Sequence, residues 1–228
     1  MRNPSKGQFG TLYVLACLFV FGCASGPHGR IESRVAPYHS ITLEDLVQSL
    51  PTHPIAVGFD IDDTVFFSSP GFYYGLTNKD GPRKTNKYGN DFLASSWFWK
   101  DMNTNFEKFS LPKTSARKAI RLHLQRGDHI FFITARPKTP GEKVTQHIQD
   151  VYDLHPIHPV IFTGGKLKTE EITKHQILIF YGDSDSDIQS AQSAKIRPIR
   201  FLRAKNSEDP TSVNIGAFGE EVLKDSDF

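Results

Sequence analysis

Three carboxylates stand within four residues of one another, at Asp60, Asp62 and Asp63, directly after the apolar run Val57 to Phe59. Acidic groups this close repel one another, so a fold that collects them supplies a cation or gives one of them a proton to carry. Hard oxygen ligands without cysteine favour Mg²⁺ over zinc. For an isolated Asp-x-Asp, an acidic turn or a helix cap is the structural alternative. The cluster therefore predicts a magnesium site with acid/base chemistry, or a turn.

From residue 55 onward, short apolar runs alternate with helical patterns. The runs lack internal polar alternation, which is typical of strands buried on both faces of a parallel sheet. The apolar spacing between them predicts helices with stop signals such as Gly127. The sequence therefore predicts a doubly wound, Rossmann-type α/β domain. The predicted strands are Ile55–Phe59, His129–Thr134, Pro159–Phe162, Ile177–Tyr181 and Ile199–Leu202, and the predicted core helices are 113–126, 139–152 and 184–195.

One segment does not fit this alternation. Residues 66–110 are rich in glycine, asparagine, lysine and aromatic side chains, and we interpret them as a small cap inserted between the first strand and the first core helix. Its aromatic rings could form a slot that stacks the ring of a substrate. Packing in a core or in a subunit interface would explain them equally well. These residues are Phe72, Tyr73, Tyr74, Trp97 and Trp99.

The first residues have the pattern of a targeting segment. Arg2 and Lys6 precede an almost uncharged run that ends in small residues, which predicts a signal peptide over residues 1–25. Cys23 also stands in a stretch that resembles a lipobox, so lipidation of this residue and ordinary cleavage both stay open. A buried N-terminal helix is the remaining alternative. The sequence thus predicts an exported protein that is either soluble after cleavage or tethered to a membrane only through a lipid on Cys23.

Composition and charge limit the possible domain organisation and binding partners. With 228 residues, the chain is long enough for one substantial core, which we place at residues 55–228 after an arm and a short helix at 26–54. The helix is expected from Thr42 to Leu50. A net charge of +2, from 27 basic and 25 acidic side chains dispersed along the chain, gives no stripe for binding polymeric nucleic acid. Both cysteines lie in the targeting segment, so no internal disulfide is expected.

The stretch F-D-I-D-D-T at residues 59–64 resembles the first motif of the haloacid dehalogenase (HAD) superfamily, D-x-D-x-[TV]. The longer string at residues 56–72 is similar to bacterial class B acid phosphatases, a secreted branch of that superfamily. The resemblance implies a HAD-like fold, with Asp60 as the nucleophile and Asp62 as the general acid/base. A carboxylate nucleophile splits hydrolysis into two easier steps through an aspartyl-phosphate.

The other polar residues of this motif have different expected roles. Asp62 must be protonated before it can donate, which fits work at mildly acidic pH. We expect Thr64 to orient Asp62 or the backbone of the turn. For Asp63 we favour a carboxylate that faces outward or caps a helix.

The resemblance also implies a phosphate site. I-T-A-R, ending at Arg136, is similar to the second motif of the family, in which a hydroxyl and nearby backbone N–H groups bind the phosphoryl group. Thr134 and Ala135 match those positions, and Arg136 could contact phosphate through two hydrogen bonds, with a surface salt bridge as the alternative. The third motif supplies a cation that offsets the charge of the nucleophile and the phosphoryl group. Lys166 and Lys168 compete for this role, and a position at the start of a short helix favours Lys168.

The fourth motif of the family, G-D-x-x-x-D, matches Asp183 and Asp187 after the apolar run Ile177 to Tyr181. The resemblance implies that these two acids serve a Mg²⁺ ion together with Asp60 and Asp62. In the family one terminal acid binds the metal directly, and the other often acts through water or an outer contact. The neighbouring Ser184 and Asp185 are better explained as acceptors at a helix N-terminus.

These motifs lead to one expected function and two rivals. We expect a periplasmic, Mg²⁺-dependent acid phosphatase that hydrolyses small phosphate monoesters, such as nucleoside monophosphates and aryl phosphates. The resemblance further implies transfer of phosphate to alcohols and a homotetramer. A dehalogenase of the same fold would need no Mg²⁺, and a non-catalytic binding protein could retain the fold. The pair Asp183 and Asp187 argues against the first rival, and intact Asp60 and Asp62 argue against the second.

Overall fold

The computed structural model describes residues 38–228. The predicted signal peptide, Cys23 and the first part of the arm lie outside these residues. No helix within the described range is long and apolar enough to cross a membrane. In chain order the elements are β1 (His39–Ile41), α1 (Leu43–Ser49), β2 (Ala56–Phe59), β3 (Phe66–Phe67), α2 (Ser69–Thr77), α3 (Ser96–Asp101), β4 (Leu111–Pro112), α4 (Thr114–Arg126), β5 (His129–Thr134), α5 (Val144–Tyr152), β6 (Ile161–Phe162), α6 (Thr169–Lys174), β7 (Ile177–Gly182), α7 (Asp185–Ser193), β8 (Arg197–Arg200) and β9 (Glu221–Leu223).

Seven strands form one parallel sheet in the order β1-β9-β8-β7-β2-β5-β6. Strand β2 lies at the centre, between β7 and β5. From β2 the chain builds outward through β5 and β6 and then returns to β7 on the other side. Ligands of such folds bind beyond the carboxyl ends of the strands, at the point where the strand order reverses. The structure confirms the predicted doubly wound α/β class and places that point at the end of β2.

The apolar side chains of β2 explain its central position. Val57 and Phe59 are fully buried, and the Phe59 ring stacks on the Tyr181 ring of β7 with centroids 4.5 Å apart. Gly58 lies against Phe180, and a Cβ at this position would come within 2.6 Å of that ring. Buried apolar surface contributes about 25 cal/mol per Å² removed from water. This packing holds the carboxyl end of β2 at a fixed position.

Helix α4 follows the predicted amphipathic pattern. Ala116, Ala119 and Ile120 face the core and are buried. Gly127 follows the helix at φ 76°, a left-handed conformation that glycine adopts at little cost, and its N–H donates to the Leu124 carbonyl at 3.0 Å. The helix therefore ends at the residue that the sequence predicts.

A buried polar network holds α4 at the amino ends of the strands. His123 on α4 contacts Asp128 through Nδ1 and the Tyr181 hydroxyl through Nε2, each at 2.7 Å. Asp128 also accepts from the Ile55 N–H at 2.8 Å. Burial lowers the pKa of His123, which favours the neutral ring. A carboxylate can only accept, so in that form Nδ1 donates to Asp128 and Nε2 accepts from the tyrosine hydroxyl. The carboxylate of Asp128 thus joins α4 to the start of the central strands.

Three predicted elements begin two or more residues away from their expected starts. Strand β6 covers Ile161–Phe162 instead of Pro159–Phe162. Helix α5 starts at Val144 instead of Thr139, because Pro140 and Gly141, the latter at φ 72°, belong to a turn. Strand β8 covers Arg197–Arg200 instead of Ile199–Leu202. Its polar first residue is held by the next strand, since Arg197 donates to Glu221 through Nη2 at 2.9 Å. An ion pair between neighbouring strands therefore replaces apolar burial at the start of β8.

The antiparallel pair of β3 and β4 stands at the two ends of the predicted cap. Between them lie α2, α3 and a π-helical turn at Met102–Phe106. Phe98 is fully buried there, and Phe72 and Trp99 pack on its ring with centroids 5.8 and 5.3 Å away. The insertion thus has a small aromatic core of its own. The exposed members of the predicted aromatic set are Tyr73, Tyr74 and Trp97.

Candidate active site

Three buried aspartates meet where β2 and β7 end. Asp60 follows β2, and its N–H donates to the Tyr181 carbonyl at 2.8 Å. Asp183 follows β7, and Asp187 lies in the first turn of α7. One carboxylate oxygen of each aspartate lies within 4.8 Å of the others. The structure therefore brings together three of the four predicted metal ligands.

Lys168 lies in the site, and Lys166 does not. The Lys168 ammonium group donates to Oδ1 of Asp60 and, at 2.7 Å, to Oδ1 of Asp187. Its backbone N–H donates to the Ser190 hydroxyl of α7 at 3.1 Å, which fixes the start of α6 beside the acids. Lys166 is exposed. Of the two lysines, the geometry thus gives only Lys168 a contact with the predicted nucleophile.

Local structure accounts for the position of Asp187. Ser184 caps α7 by accepting from the Asp187 N–H at 3.2 Å, and the Ser184 hydroxyl donates back to Oδ2 of Asp187 at 2.7 Å. A Cβ at Gly182 would lie 2.3 Å from the Cβ of Asp187, so glycine is required for this close approach of α7 to β7. The second acid of the fourth motif is therefore both a helix-capping residue and a partner of Lys168.

Asp183 is held by two side chains whose roles the sequence did not reveal. The Thr64 hydroxyl donates to Oδ1 of Asp183 at 3.2 Å, so it contacts this aspartate instead of the predicted Asp62. Arg203, from the loop after β8, donates to Oδ2 of Asp183 and pairs with Asp209 at 3.0 Å. No motif signals Arg203, because its contact arises only when the loop folds back over the sheet edge.

Asp62 is bound by arginine and lies outside the three-acid cluster. Arg136 donates through Nε to Oδ2 of Asp62 at 2.8 Å and through Nη2 to Oδ1 at 2.5 Å. Both carboxylate oxygens of Asp62 are therefore on Arg136, and the role of Asp62 as a fourth metal ligand stays a prediction. The guanidinium of Arg136 is buried on protein carboxylates, which contradicts the predicted surface salt bridge, whereas its contact with phosphate stays a prediction. Burial would raise the pKa of Asp62, but Arg136 outweighs it and lowers that pKa.

The predicted phosphate-binding turn lies at the end of β5. Thr134 is buried, and its hydroxyl accepts from the Arg136 N–H at 3.2 Å. Ala135 is exposed, and its carbonyl accepts from the Gly165 N–H at 2.7 Å. The end of β5 is adjacent to the end of β2 in the parallel sheet. Thr134 and Ala135 thus lie at the same sheet edge as Asp60, and their contact with phosphate stays a prediction.

Burial governs the protonation of the aspartate cluster. It raises the pKa of Asp60 well above its usual value, although the Lys168 charge opposes the rise and Asp187 adds to it. Burial also raises the pKa of Asp183, against the charge of Arg203. The protein alone therefore does not offset all of the negative charge at this edge.

The charges and ligand types of the site fit a divalent cation. Within residues 38–228, five buried or half-buried carboxylates and three cationic side chains lie here, besides the exposed Asp209 that also pairs with Arg203. Buried carboxylates without a matching positive charge are costly, and carboxylate oxygens suit a hard divalent ion. Asp60, Asp183 and Asp187 are therefore suitable ligands for such a metal. The carboxylates are Asp60, Asp62, Glu107, Asp183 and Asp187, and the cations are Arg136, Lys168 and Arg203.

Asp63 differs from its predicted position. It is buried, has φ 57° and caps no helix. Oδ2 accepts from the Ser207 hydroxyl, while Oδ1 is buried without a hydrogen-bond partner among the described residues. Burial raises the pKa of Asp63 to about 6. The expectation of an outward-facing or helix-capping carboxylate was wrong, because the loop that carries Ser207 covers this residue.

Replacing Asp63 with asparagine should stabilise the metal-free protein at neutral pH. The raised pKa means that the folded state keeps a proton that the unfolded state has lost, so stability falls as pH rises from about 4 to about 6. Asparagine tolerates positive φ and has no such proton to lose. We expect a gain of roughly 1 to 3 kcal/mol at about pH 7.5 that disappears near pH 4. Denaturant unfolding in chelator measures the difference in free energy of unfolding between the two proteins. An equal difference at both pH values would contradict the raised pKa of Asp63.

The parallel sheet that carries this acidic edge has counterparts among solved structures. A hydrolase from Pseudomonas syringae superposes on the chain with a TM-score of 0.51 at 12% identity, over 76% of this chain and 94% of that protein. At such low identity the likeness supports the fold alone. The chain belongs to the HAD superfamily, subfamily IIIB, the acid phosphatases, whose family model matches residues 34–209.

Class B acid phosphatases align with most of the length of this chain. A class B acid phosphatase from Rahnella sp. (strain Y9602) is 44% identical over 200 residues, which cover 85% of this chain and 82% of the relative. A class B acid phosphatase from Haemophilus parainfluenzae (strain T3T1) is 41% identical over 210 residues, or 89% of this chain and 87% of the relative. The predicted family is thus confirmed.

Family membership decides between the functions that the sequence left open. The protein is a phosphoric monoester hydrolase, so the dehalogenase and the non-catalytic binding protein are set aside. Phosphatases of this superfamily generally use a divalent metal, and the buried cluster of Asp60, Asp183 and Asp187 agrees with that use.

Proposed function

We propose that this protein is an exported, Mg²⁺-dependent acid phosphatase that cleaves small organic phosphate monoesters through an aspartyl-phosphate on Asp60. The main support is the setting of Asp60. Its carboxylate is buried at the sheet edge, Lys168 donates to Oδ1, and no described side chain donates to Oδ2. One oxygen is therefore oriented by a cation, and the other is available to form a bond to phosphorus.

In the first step, the available oxygen of Asp60 attacks phosphorus and the ester P–O bond breaks. Asp62 gives its proton to the departing oxygen. In the second step, Asp62 takes a proton from water as that water attacks the same phosphorus, which releases inorganic phosphate and restores Asp60. The first step needs protonated Asp62, and Arg136 lowers the pKa of Asp62, so this form is populated only in acidic solution. This favours turnover in acid.

Cationic and metal groups would offset the negative charge during both steps. Lys168 lies on Asp60 and keeps its proton, because the charges of Asp187 and Asp60 outweigh the effect of burial and raise its pKa. Thr134 and the backbone at Ala135 would bind the phosphoryl oxygens. Mg²⁺ held by Asp60, Asp183 and Asp187 would neutralise the carboxylates and the phosphoryl charge.

Small organic phosphate monoesters that carry an aromatic ring, such as nucleoside monophosphates and aryl phosphates, are the proposed substrates. The Phe72 ring lies 5.9 Å from the guanidinium carbon of Arg136, so an aromatic surface adjoins the residue that binds Asp62. An alcohol in place of water in the second step would give phosphate transfer.

Export to the periplasm is supported by the pattern of residues 1–25, and assembly as a homotetramer is supported by the resemblance to class B acid phosphatases. A lipid on Cys23 would be its only membrane contact.

Removal of divalent metal should abolish turnover. We expect the protein to lose aryl phosphate hydrolysis at about pH 6 in excess chelator and to regain it when Mg²⁺ exceeds the chelator. Calorimetric titration should show Mg²⁺ binding that the Asp183→Asn variant loses. Asp185→Asn is the matched control, since this acid lies at the same sheet edge outside the three-acid cluster. Full turnover in chelator, with no Mg²⁺ binding, would contradict the proposal.

A further inference from the structure

The guanidinium of Arg136 lies between two carboxylates from different parts of the chain. One is Asp62, bound through Nε and Nη2, and the other is Glu107, whose Oε2 accepts from Nη1 at 2.5 Å. The Arg136 side chain is 1% exposed, and so is that of Glu107. Breaking a buried pair of this kind leaves an uncompensated charge. The orientation of Arg136 therefore depends on Glu107 as well as on Asp62.

Glu107 belongs to the insertion, directly after its π-helical turn, and not to the sheet. A neighbour from the same turn, Asn103, fixes this segment against the loop after β5. Its side-chain amide donates to the Pro137 carbonyl at 2.9 Å and to the Thr139 hydroxyl at 3.1 Å. Its backbone carbonyl accepts from the Lys143 N–H at 2.8 Å. These contacts hold Glu107 at a set position relative to Arg136.

Asn103 also contacts the arginine itself. Its side-chain oxygen accepts from Nη1 of Arg136 at 3.3 Å, beside Glu107. Bidentate arginine–carboxylate pairs specify orientation as well as strength. With Nη1 anchored on the insertion, the opposite edge of the guanidinium presents Nε and Nη2 to both oxygens of Asp62.

We propose that Glu107 is a positioning residue for the reaction: it anchors Arg136, and Arg136 in turn orients the carboxyl group of Asp62. The inference rests on the acid/base role proposed for Asp62. Besides the proposed contact with substrate, the insertion then has a second role, because its Glu107 helps to orient the carboxyl group of Asp62. A misplacement of about 1 Å in such a group can reduce turnover by about 100-fold.

The test compares Glu107→Gln with the native protein on an aryl phosphate. We expect kcat to fall by about 10- to 100-fold while KM changes by less than about threefold, because orientation of the proton donor is lost and phosphate binding is kept. Glu107→Asp retains the charge and should recover part of the lost kcat. In an Arg136→Met background, Glu107→Gln should lower kcat by no more than about twofold further, since the residue acts through Arg136.

A matched control separates positioning from folding. Asp128→Asn also removes a buried carboxylate from an ion pair, but at the amino ends of the strands, so it should lower the unfolding midpoint and leave kcat unchanged. If Glu107→Gln keeps native kcat, or lowers it equally with and without Arg136, the positioning role is overturned.

Asp62→Asn distinguishes failure of the acid/base role proposed for Asp62 from failure of the positioning role proposed for Glu107. If it retains turnover, the acid/base role itself fails, whereas an inactive Asp62→Asn beside a fully active Glu107→Gln refutes only the inference.

Discussion

Replacing Asp60 with asparagine should reduce hydrolysis of phosphate monoesters by roughly 10⁴-fold or more. The amide is close in shape to the carboxylate but cannot act as the nucleophile. Loss of folding should not cause the effect, since burial already raises the pKa of Asp60 and the amide removes a charge that is costly to bury. Steady-state kinetics at about pH 6, with unfolding curves for both proteins, measure the two properties separately.

The covalent intermediate gives this prediction a second, independent test. Native protein quenched in acid during turnover should carry one added phosphoryl group by intact mass, and the Asp60→Asn variant should carry none. Asp150→Asn, which changes an exposed aspartate on α5, is the control and should behave like the native protein. Detection of the same adduct on Asp60→Asn would place the nucleophile at another residue.

The parts of the site that lie close in sequence to a buried strand were predictable. Asp60, Thr134 and Asp183 each follow an apolar run, and parallel strands carry their following residues to one edge of a sheet. Lys168 was chosen over Lys166 from its place at a helix start, and the structure puts its ammonium group on Asp60. The strand pattern and this rule of topology place Asp60, Thr134 and Asp183 at one edge, and the resemblance to the HAD motifs supplies the need for a lysine.

Contacts made by loops and by the insertion were not predictable. Glu107 and Arg203 bind their partners across long separations in sequence, in segments without a repeating pattern. Asp63 was expected to face outward, since nothing near it shows that the loop with Ser207 covers it. Such contacts depend on where irregular backbone folds back, and residue type alone does not determine that.

The edge strands illustrate the same limit in the fold. Strands β1 and β9 were not predicted, because each has only three residues, which are too few to show an alternation of apolar and polar side chains. They pair with each other in parallel, with Ile41 opposite Leu223, and both residues are buried. The long central strands could be predicted from their composition, whereas the two short strands form because the sheet beside them offers a free edge.

Replacing Lys168 with methionine should cost both catalysis and stability. The variant keeps the volume of the side chain but removes the cation that binds Asp60 and Asp187. We expect kcat/KM to fall by about 10³-fold, because charge on the phosphoryl group is no longer offset. Leaving two buried carboxylates without their partner should lower the free energy of unfolding by about 3 to 5 kcal/mol in chelator. Kinetics and denaturant unfolding measure the two effects.

The matched control is Lys166→Met, which removes an exposed lysine two residues earlier and should leave both quantities unchanged. A double variant separates the two roles of Lys168. Adding Asp187→Asn to Lys168→Met removes one of the unpaired carboxylates, so part of the stability should return while turnover stays lost. If the double variant recovered activity, the role of Lys168 would be balance of charge in the folded protein and not stabilisation of the reacting phosphoryl group.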